Sequence, residues 1–402
     1  MKKPIATRVL IALVAPLLLL ATPAAATAQD EDPEPEDGYQ TPEEALRDDL
    51  TITAASHGWT FAQAEAQYRV AEAVGSIAST IAPERLETFV GTALSEEPGG
   101  APTLYLKGEA DAFVRDVIGE SGLDVIVADR QPFSYLELEG RNQRLDRELI
   151  ALGYADLSGG VDITDGTITA HLAVQPGLPT DPEEIRERLS EEFQRGVALT
   201  VAEELGNIAQ HGYGGLPLFD SKEPECTSGW TVIDPQGVTG VSAAGHCTGI
   251  DQAWGSSEGY FDLDKQTEHR GYLGDVEWHT TPTHTDVAEF YSHPTVRRDT
   301  LSVEPWWEFT VGETICVFGR ASNERNCDTQ VEETVWSCTL KGYLTQGLVR
   351  MSAAVTDGGD SGGGWSFDTR AYGSHVGLCW GTSVFTRADL YPKALGVSVL
   401  LK

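Results

Sequence analysis

Hydrophobic positions along this chain change their period once, and the change divides it. Phe61, Ala64, Tyr68, Ala71 and Val74 recur at helical intervals, and Thr60 with Gln63 has the spacing of a capping box at the start of that helix. Leu104–Leu106 and Val125–Val127 read as short strands, with a helix over Glu109–Ile118 between them and another over Leu136–Leu152. Val161–Ala170 alternates apolar and polar residues around Asp165-Gly166, which predicts a hairpin with a two-residue turn. Thr180-Asp-Pro-Glu-Glu184 reads as a helix start, with Pro182 in the first turn and acids near the positive end of the dipole. Residues 46–205 therefore predict an α/β region with a small core of its own. From about residue 212 the helical period stops. Short apolar runs at Trp230–Ile233, Val287–Tyr291, Thr314–Val317 and Gly396–Leu401, separated by turn residues, predict an all-β region.

The ends and the charge refine this division. Lys2, Lys3 and Arg8, the apolar run Val9–Leu20 and the small residues Ala26-Thr27-Ala28 have the layout of a secretory signal over residues 1–28. Residues 29–45, rich in Asp, Glu and Pro, read as a disordered acidic leader. The α/β region is set at 46–211 and the β region at 212–402, with the junction near Gly214-Gly215. The net charge of −34 resides mainly in residues 29–222, with 38 acidic against 13 basic residues, while residues 223–402 carry 24 against 12. Such a surface repels phosphate backbones and excludes a nucleic-acid partner. Past the N-terminal run no stretch is long and apolar enough for a membrane span. All six cysteines lie between Cys226 and Cys379, and an even count in an exported chain predicts disulfides.

Three motifs carry chemistry. Gly359-Asp360-Ser361-Gly362-Gly363 places a serine among glycines, where backbone N–H groups can approach a reacting carbonyl. Upstream lies Ala244-Gly245-His246-Cys247, and between the two lies Thr285-Asp286-Val287-Ala288. A serine hydroxyl needs a base within hydrogen-bond reach, and the base needs an orienting acid. Ser361, His246 and Asp286 are the candidates for these roles. His279, His284, Asp286 and His293 form a rival His/Asp cluster, but no His-x-x-x-His or Cys-x-x-Cys spacing supports a zinc site, and no metal or other cofactor is expected.

These motifs, in the order His, Asp, Ser, resemble those of the secreted bacterial chymotrypsin-fold serine proteases, the streptogrisin and alpha-lytic group. Cys226-Thr-Ser-Gly-Trp230, the stretch Val311–Cys316 with Gly319-Arg320 and Cys327, and the tail Ala394–Val399 add to the resemblance, which covers roughly residues 212–402. It implies two antiparallel six-stranded β-barrels with the active site between them, preceded by a smaller α/β pro-domain. The pro-region would act as folding catalyst and then as inhibitor. It further implies a secreted endopeptidase, monomeric when mature, acting on protein or peptide substrates through an acyl-enzyme on Ser361. The N–H groups of Gly359 and Ser361 would form the oxyanion hole. The implied disulfides are Cys226–Cys247 and Cys316–Cys327, which leaves Cys338 with Cys379.

The chain also departs from that family. Val376 stands where a serine often contacts the triad aspartate, and Val317 stands where an arginine often pairs with the Asp before the nucleophile; Arg320 is the candidate substitute. By the same resemblance, Val355, His375 and Leu378 would fall at the specificity pocket. Val355 argues against Lys or Arg preference, and His375 leaves open a preference for Glu beside one for large apolar residues. Trp306-Trp307 reads as a pair packed between strands. Two rival functions share the same residues: a protease-fold binding module without turnover, and an esterase with the same triad.

Overall fold

Capped helices and short strands build the N-terminal half. The computed structural model describes residues 38–206, 208–209, 215–221, 223–255 and 259–402. The expected signal, most of the acidic leader and the expected 211/212 junction lie outside them. Helix α1, Pro42–Ser56, starts at a capping box in which Thr41 and Glu44 satisfy each other's backbone N–H groups. Helix α2, Phe61–Ile81, starts at the expected box of Thr60 and Gln63. Helices α3, Ala112–Ser121, α4, Tyr135–Ala151, and α5, Pro182–Arg188, follow, each with a side-chain N-cap. The leader expectation is thus corrected for residues 38–45. Gly38–Tyr39 is a strand paired in parallel with Val296–Arg297, and residues from Pro42 are helical. Cap chemistry and distant partners order a segment whose composition alone reads as solvated.

The hairpin expected near Asp165-Gly166 is present with a longer connection. Leu157–Val161 pairs with Ile168–Ala173, Val161 opposite Ile168, so residues 162–167 make the turn. Asp162 causes this, because its carboxylate accepts from the backbone N–H and the hydroxyl of Thr164 and ends the strand early. Val197–Ala202 then adds in parallel to Ile168–Ala173. On the inner face of this sheet Leu157, Val161, Ile168 and Leu172 pack against Leu145 and Leu149 of α4 and Phe193.

The C-terminal half is almost wholly β, as its pattern predicts. One sheet pairs Thr231–Ile233, Thr239–Ala243, Gly274–Thr280 and Asp264–Gly271 in antiparallel order, with Ser398–Val399 at its edge. A second joins Pro217–Asp220, Glu223–Thr227, Gln252–Gly255 and Gly259–Asp262. These two share a core of Leu218, Val241, Ala243, Ala253 and Phe261. A third sheet carries Cys316–Gly319, Gly364–Phe367, Arg370–Cys379, Thr382–Arg387, Tyr343–Met351 and Val331–Leu340. It does not stop at the junction. Trp336, Ser337 and Cys338 pair with Gly160, Gly159 and Ser158, so the N-terminal hairpin continues the C-terminal sheet. No closed barrel is formed among the described residues. Trp306 and Trp307 pack against strand residues Phe89, Leu104 and Leu106, as expected, and against helices as well. Trp306 stacks on Tyr135 with ring centres 4.3 Å apart, and Trp307 Nε1 donates to Ser79 Oγ, so both rings face N-terminal helices. Among the described residues no helix is long and apolar enough to cross a membrane.

Candidate active site

His246 follows the strand Thr239–Ala243, and the disulfide Cys226–Cys247 fixes the next residue. Ser361 sits in a turn held from both sides. Its carbonyl accepts from Thr227 N, Gly359 O accepts from Thr227 Oγ1, and Gly362 N donates to His375 O. These elements bring His246 Nε2 to 2.9 Å from Ser361 Oγ, within reach for proton transfer. Both residues are buried in the full chain, His246 at 1% exposure and Ser361 at 0%.

The carboxylate on the other ring nitrogen belongs to Asp275. Its Oδ2 lies 2.5 Å from His246 Nδ1, and it is as buried as the imidazole. Asp286, the sequence candidate, is elsewhere: both its oxygens accept from Thr281 Oγ1 at 2.8 Å. Sheet register explains the correction. Thr239–Ala243 pairs with Gly274–Thr280, Ala243 opposite Glu277. Two residues further along the same antiparallel register, Asp275 stands opposite Gly245, beside the histidine. Gly274 permits the approach. It has φ of 103°, and a Cβ there would strike the side chain of Thr386, whose Oγ1 accepts from Asp275 N at 3.0 Å. Asp275 Oδ1 faces Arg270 Nε at 3.6 Å. The signal that could have found Asp275 is its place on the strand beside the histidine strand, since Gly274-Asp275-Val276 has no local signature of its own.

The other expected residues are placed as follows. The disulfides are Cys226–Cys247, Cys316–Cys327 and Cys338–Cys379, all as expected. Arg320 does not take the place of the expected arginine partner as a donor to Asp360: it donates to Pro294 O and Gly215 O. Asp360 instead accepts from the backbone N–H groups of Ala321, Ser322 and Asp357; burial raises its pKa, and these N–H groups oppose the rise. Val376 offers its carbonyl to Ser361 Oγ at 3.4 Å. Val355 is half-buried beside Ser383, and Leu378 is half-buried on the strand Arg370–Cys379. His375 is fully buried. Its Nδ1 accepts from Trp365 Nε1 at 3.4 Å, its ring also bonds the backbone at Val384, and burial pushes its pKa down to about 3.

The His/Asp cluster considered for a metal is not assembled. His279 bonds Glu277 at 2.9 Å, His293 faces Asp48 at 3.4 Å, and His284 lies on Phe261. The N-terminal half also reaches the strand Arg370–Cys379. Ile208–Ala209 pairs antiparallel with Leu378 and Gly377, immediately after Val376.

No protein-family model and no curated protein matches the chain. Several solved structures do. A glutamic acid-specific serine protease is 20% identical with a TM-score of 0.39, covering 47% of this chain and 100% of that one. Cellulomonas bogoriensis chymotrypsin is 20% identical with a TM-score of 0.36 over 48% and 100%. A Nocardiopsis protease is 16% identical with a TM-score of 0.36 over 48% and 98%. Each of these similarities covers about half of this chain.

Proposed function

We propose that this chain is a secreted serine endopeptidase made as a precursor. One observation carries the reading: a continuous hydrogen-bonded line from Asp275 through His246 to Ser361 Oγ. In the proposed reaction His246 Nε2 takes the hydroxyl proton as Ser361 Oγ attacks the scissile carbonyl. Asp275 holds the ring in the right tautomer and stabilises the imidazolium. The N–H groups of Gly359 and Ser361 receive the oxyanion, and losing one such donor typically costs about 10²–10³ in rate. The imidazolium then protonates the leaving amine, and water, deprotonated by the same nitrogen, releases the acyl group.

Residues 46 to about 211 are the pro-region in this reading. The strand Ile208–Ala209 supports it, because an extended segment antiparallel to the strand beside the nucleophile lies as a bound peptide would. Burial of Ser361 and His246 in the uncut chain agrees with a blocked site. A β topology rich in non-local pairings folds slowly, which gives a folding catalyst something to do. The two-barrel arrangement belongs to the same proposal, supported by the core shared between the first two C-terminal sheets. Three disulfides suit an oxidising compartment outside the cytosol. The neutral His375, with Val355 and Leu378, favours a large apolar residue at the cleaved bond over Glu. The test compares Phe- and Glu-containing reporter peptides with the parent chain and with Ser361→Ala. Cleavage after Phe that Ser361→Ala abolishes supports the proposal, and cleavage that survives Ser361→Ala refutes it.

A further inference from the structure

Helix α1 carries an acidic pair, Asp48 and Asp49, onto ground that belongs to the C-terminal half. Asp49 is fully buried. Its Oδ1 accepts from Arg325 Nε at 2.5 Å. Its Oδ2 accepts from Arg325 Nη2 at 2.8 Å, Arg298 Nη1 at 2.8 Å and the backbone N–H of Asp368 at 2.7 Å. The Arg325 fork is therefore bidentate on one carboxylate, the strongest geometry for such a pair. C-terminal groups aim both guanidiniums. Ser366 gives its Oγ and its carbonyl to Arg325, and Asp368 gives its carbonyl to Arg298. Two more N-terminal oxygens, Gln40 Oε1 at 2.7 Å and Asp48 Oδ2 at 3.0 Å, complete Arg298.

The distribution of charge is one-sided. Both cations come from the C-terminal strands Val296–Asp299 and Glu324–Asn326, and both of their carboxylate partners come from α1. Asp368 cannot supply the missing charge in the same way, since it meets Asp49 through its backbone N–H. Its carboxyl is pushed up to about 6 by burial and by Asp49. Two buried guanidiniums aimed at one point without an anion would be strongly unfavourable. The four donors thus converge on a place that one carboxylate fills.

We propose that Arg298 and Arg325 form a carboxylate-binding socket on the C-terminal half, and that Asp49 keys helix α1 into it. The N-terminal half consequently stays bound after a cut between the halves. That consequence rests on the precursor reading; the socket does not. The test uses the full chain carrying Ser361→Ala, so that no cutting intervenes. Asp49→Ala lowers its Tm by about 5 °C or more. Sodium formate, whose anion replaces the deleted carboxylate, restores part of that loss saturably, while sodium chloride at equal ionic strength does not. The Asp49 chain shows no such formate response. Equal formate shifts with and without Asp49, or an unchanged Tm in Asp49→Ala, would overturn the socket. If Asp49→Ala does not fold, Arg325→Met in its place tests the same point. The socket predicts that Asp49→Asn costs far less Tm in the Arg325→Met background than alone, and equal costs refute it. In the active chain, cut between the halves, the N-terminal fragment co-elutes on sizing and Asp49→Ala speeds its release at least about tenfold, as expected for losing a buried charge pair. Immediate separation of the unsubstituted fragments would refute the anchoring role. An uncut chain by intact mass would refute the precursor reading and leave the formate comparison to decide the socket.

Discussion

Replacing Asp275 by Asn should abolish the proposed peptidase activity while leaving the fold in place, and replacing Asp286 by Asn should not. Asp275 contributes a negative acceptor 2.5 Å from His246 Nδ1. An asparagine that turns its NH₂ toward the ring donates to Nδ1, which places the ring proton on Nε2, where it cannot accept from Ser361. The cost of this substitution in a Ser-His-Asp triad is about 10⁴ in kcat, or about 5 kcal/mol of transition-state stabilisation. The backbone contact of residue 275 with Thr386 is untouched by the change, so the strand should hold its position. Asp286→Asn loses one charged acceptor for Thr281, which costs about 1 kcal/mol of stability. Turnover of a Phe-containing reporter peptide, normalised to folded protein by near-UV circular dichroism, separates the two. The reasoning fails if Asp286→Asn loses activity by orders of magnitude while Asp275→Asn stays near the parent.

Other consequences are equally open to measurement. Gly160→Ala places a methyl group against Trp336, Glu333 and the carbonyl of Val335, so pairing of the halves should weaken by about 1–3 kcal/mol in urea unfolding; an unchanged midpoint counts against the shared sheet. Glu333, buried beside Gly160, has its pKa raised to about 8 from the usual 4.5. The folded chain keeps a proton there that the unfolded chain has released, so this contribution is full below pH 4.5 and is lost as pH rises through 8. The slope is at most about 1.4 kcal/mol per pH unit, and Glu333→Gln should flatten it. Replacing Cys338 and Cys379 together by Ser opens a bridge across 41 residues and should cost about 4 kcal/mol, read from unfolding without reductant.

What could be read in the sequence was what is local. Ser361 sits in a run of glycines and His246 in a run ending at a cysteine, so each announces its own environment. Asp275 announces nothing, because its role comes from the register between two strands, and Asp286 sits in a local context that looks more suitable. The cap of α2 was legible from Thr60 and Gln63. That of α1 was equally present in Thr41 and Glu44, but acidic composition obscured it. The anchoring of α1 depends on Arg298 and Arg325, some 250 residues away, and no window along the chain joins them to Asp49. The same holds for Asp360. Its expected partner was a side chain, whereas the structure supplies backbone N–H groups from a turn.

The central claim is that the oxygen of Ser361 is made nucleophilic by His246. Treating the C-terminal half, purified after it has been cut and freed of the N-terminal half, with a small fluorophosphonate and measuring intact mass, then mapping the adduct, tests this most directly. The account predicts one adduct, on Ser361, that His246→Ala suppresses. No adduct on folded protein, or one that persists unchanged in His246→Ala, would contradict it.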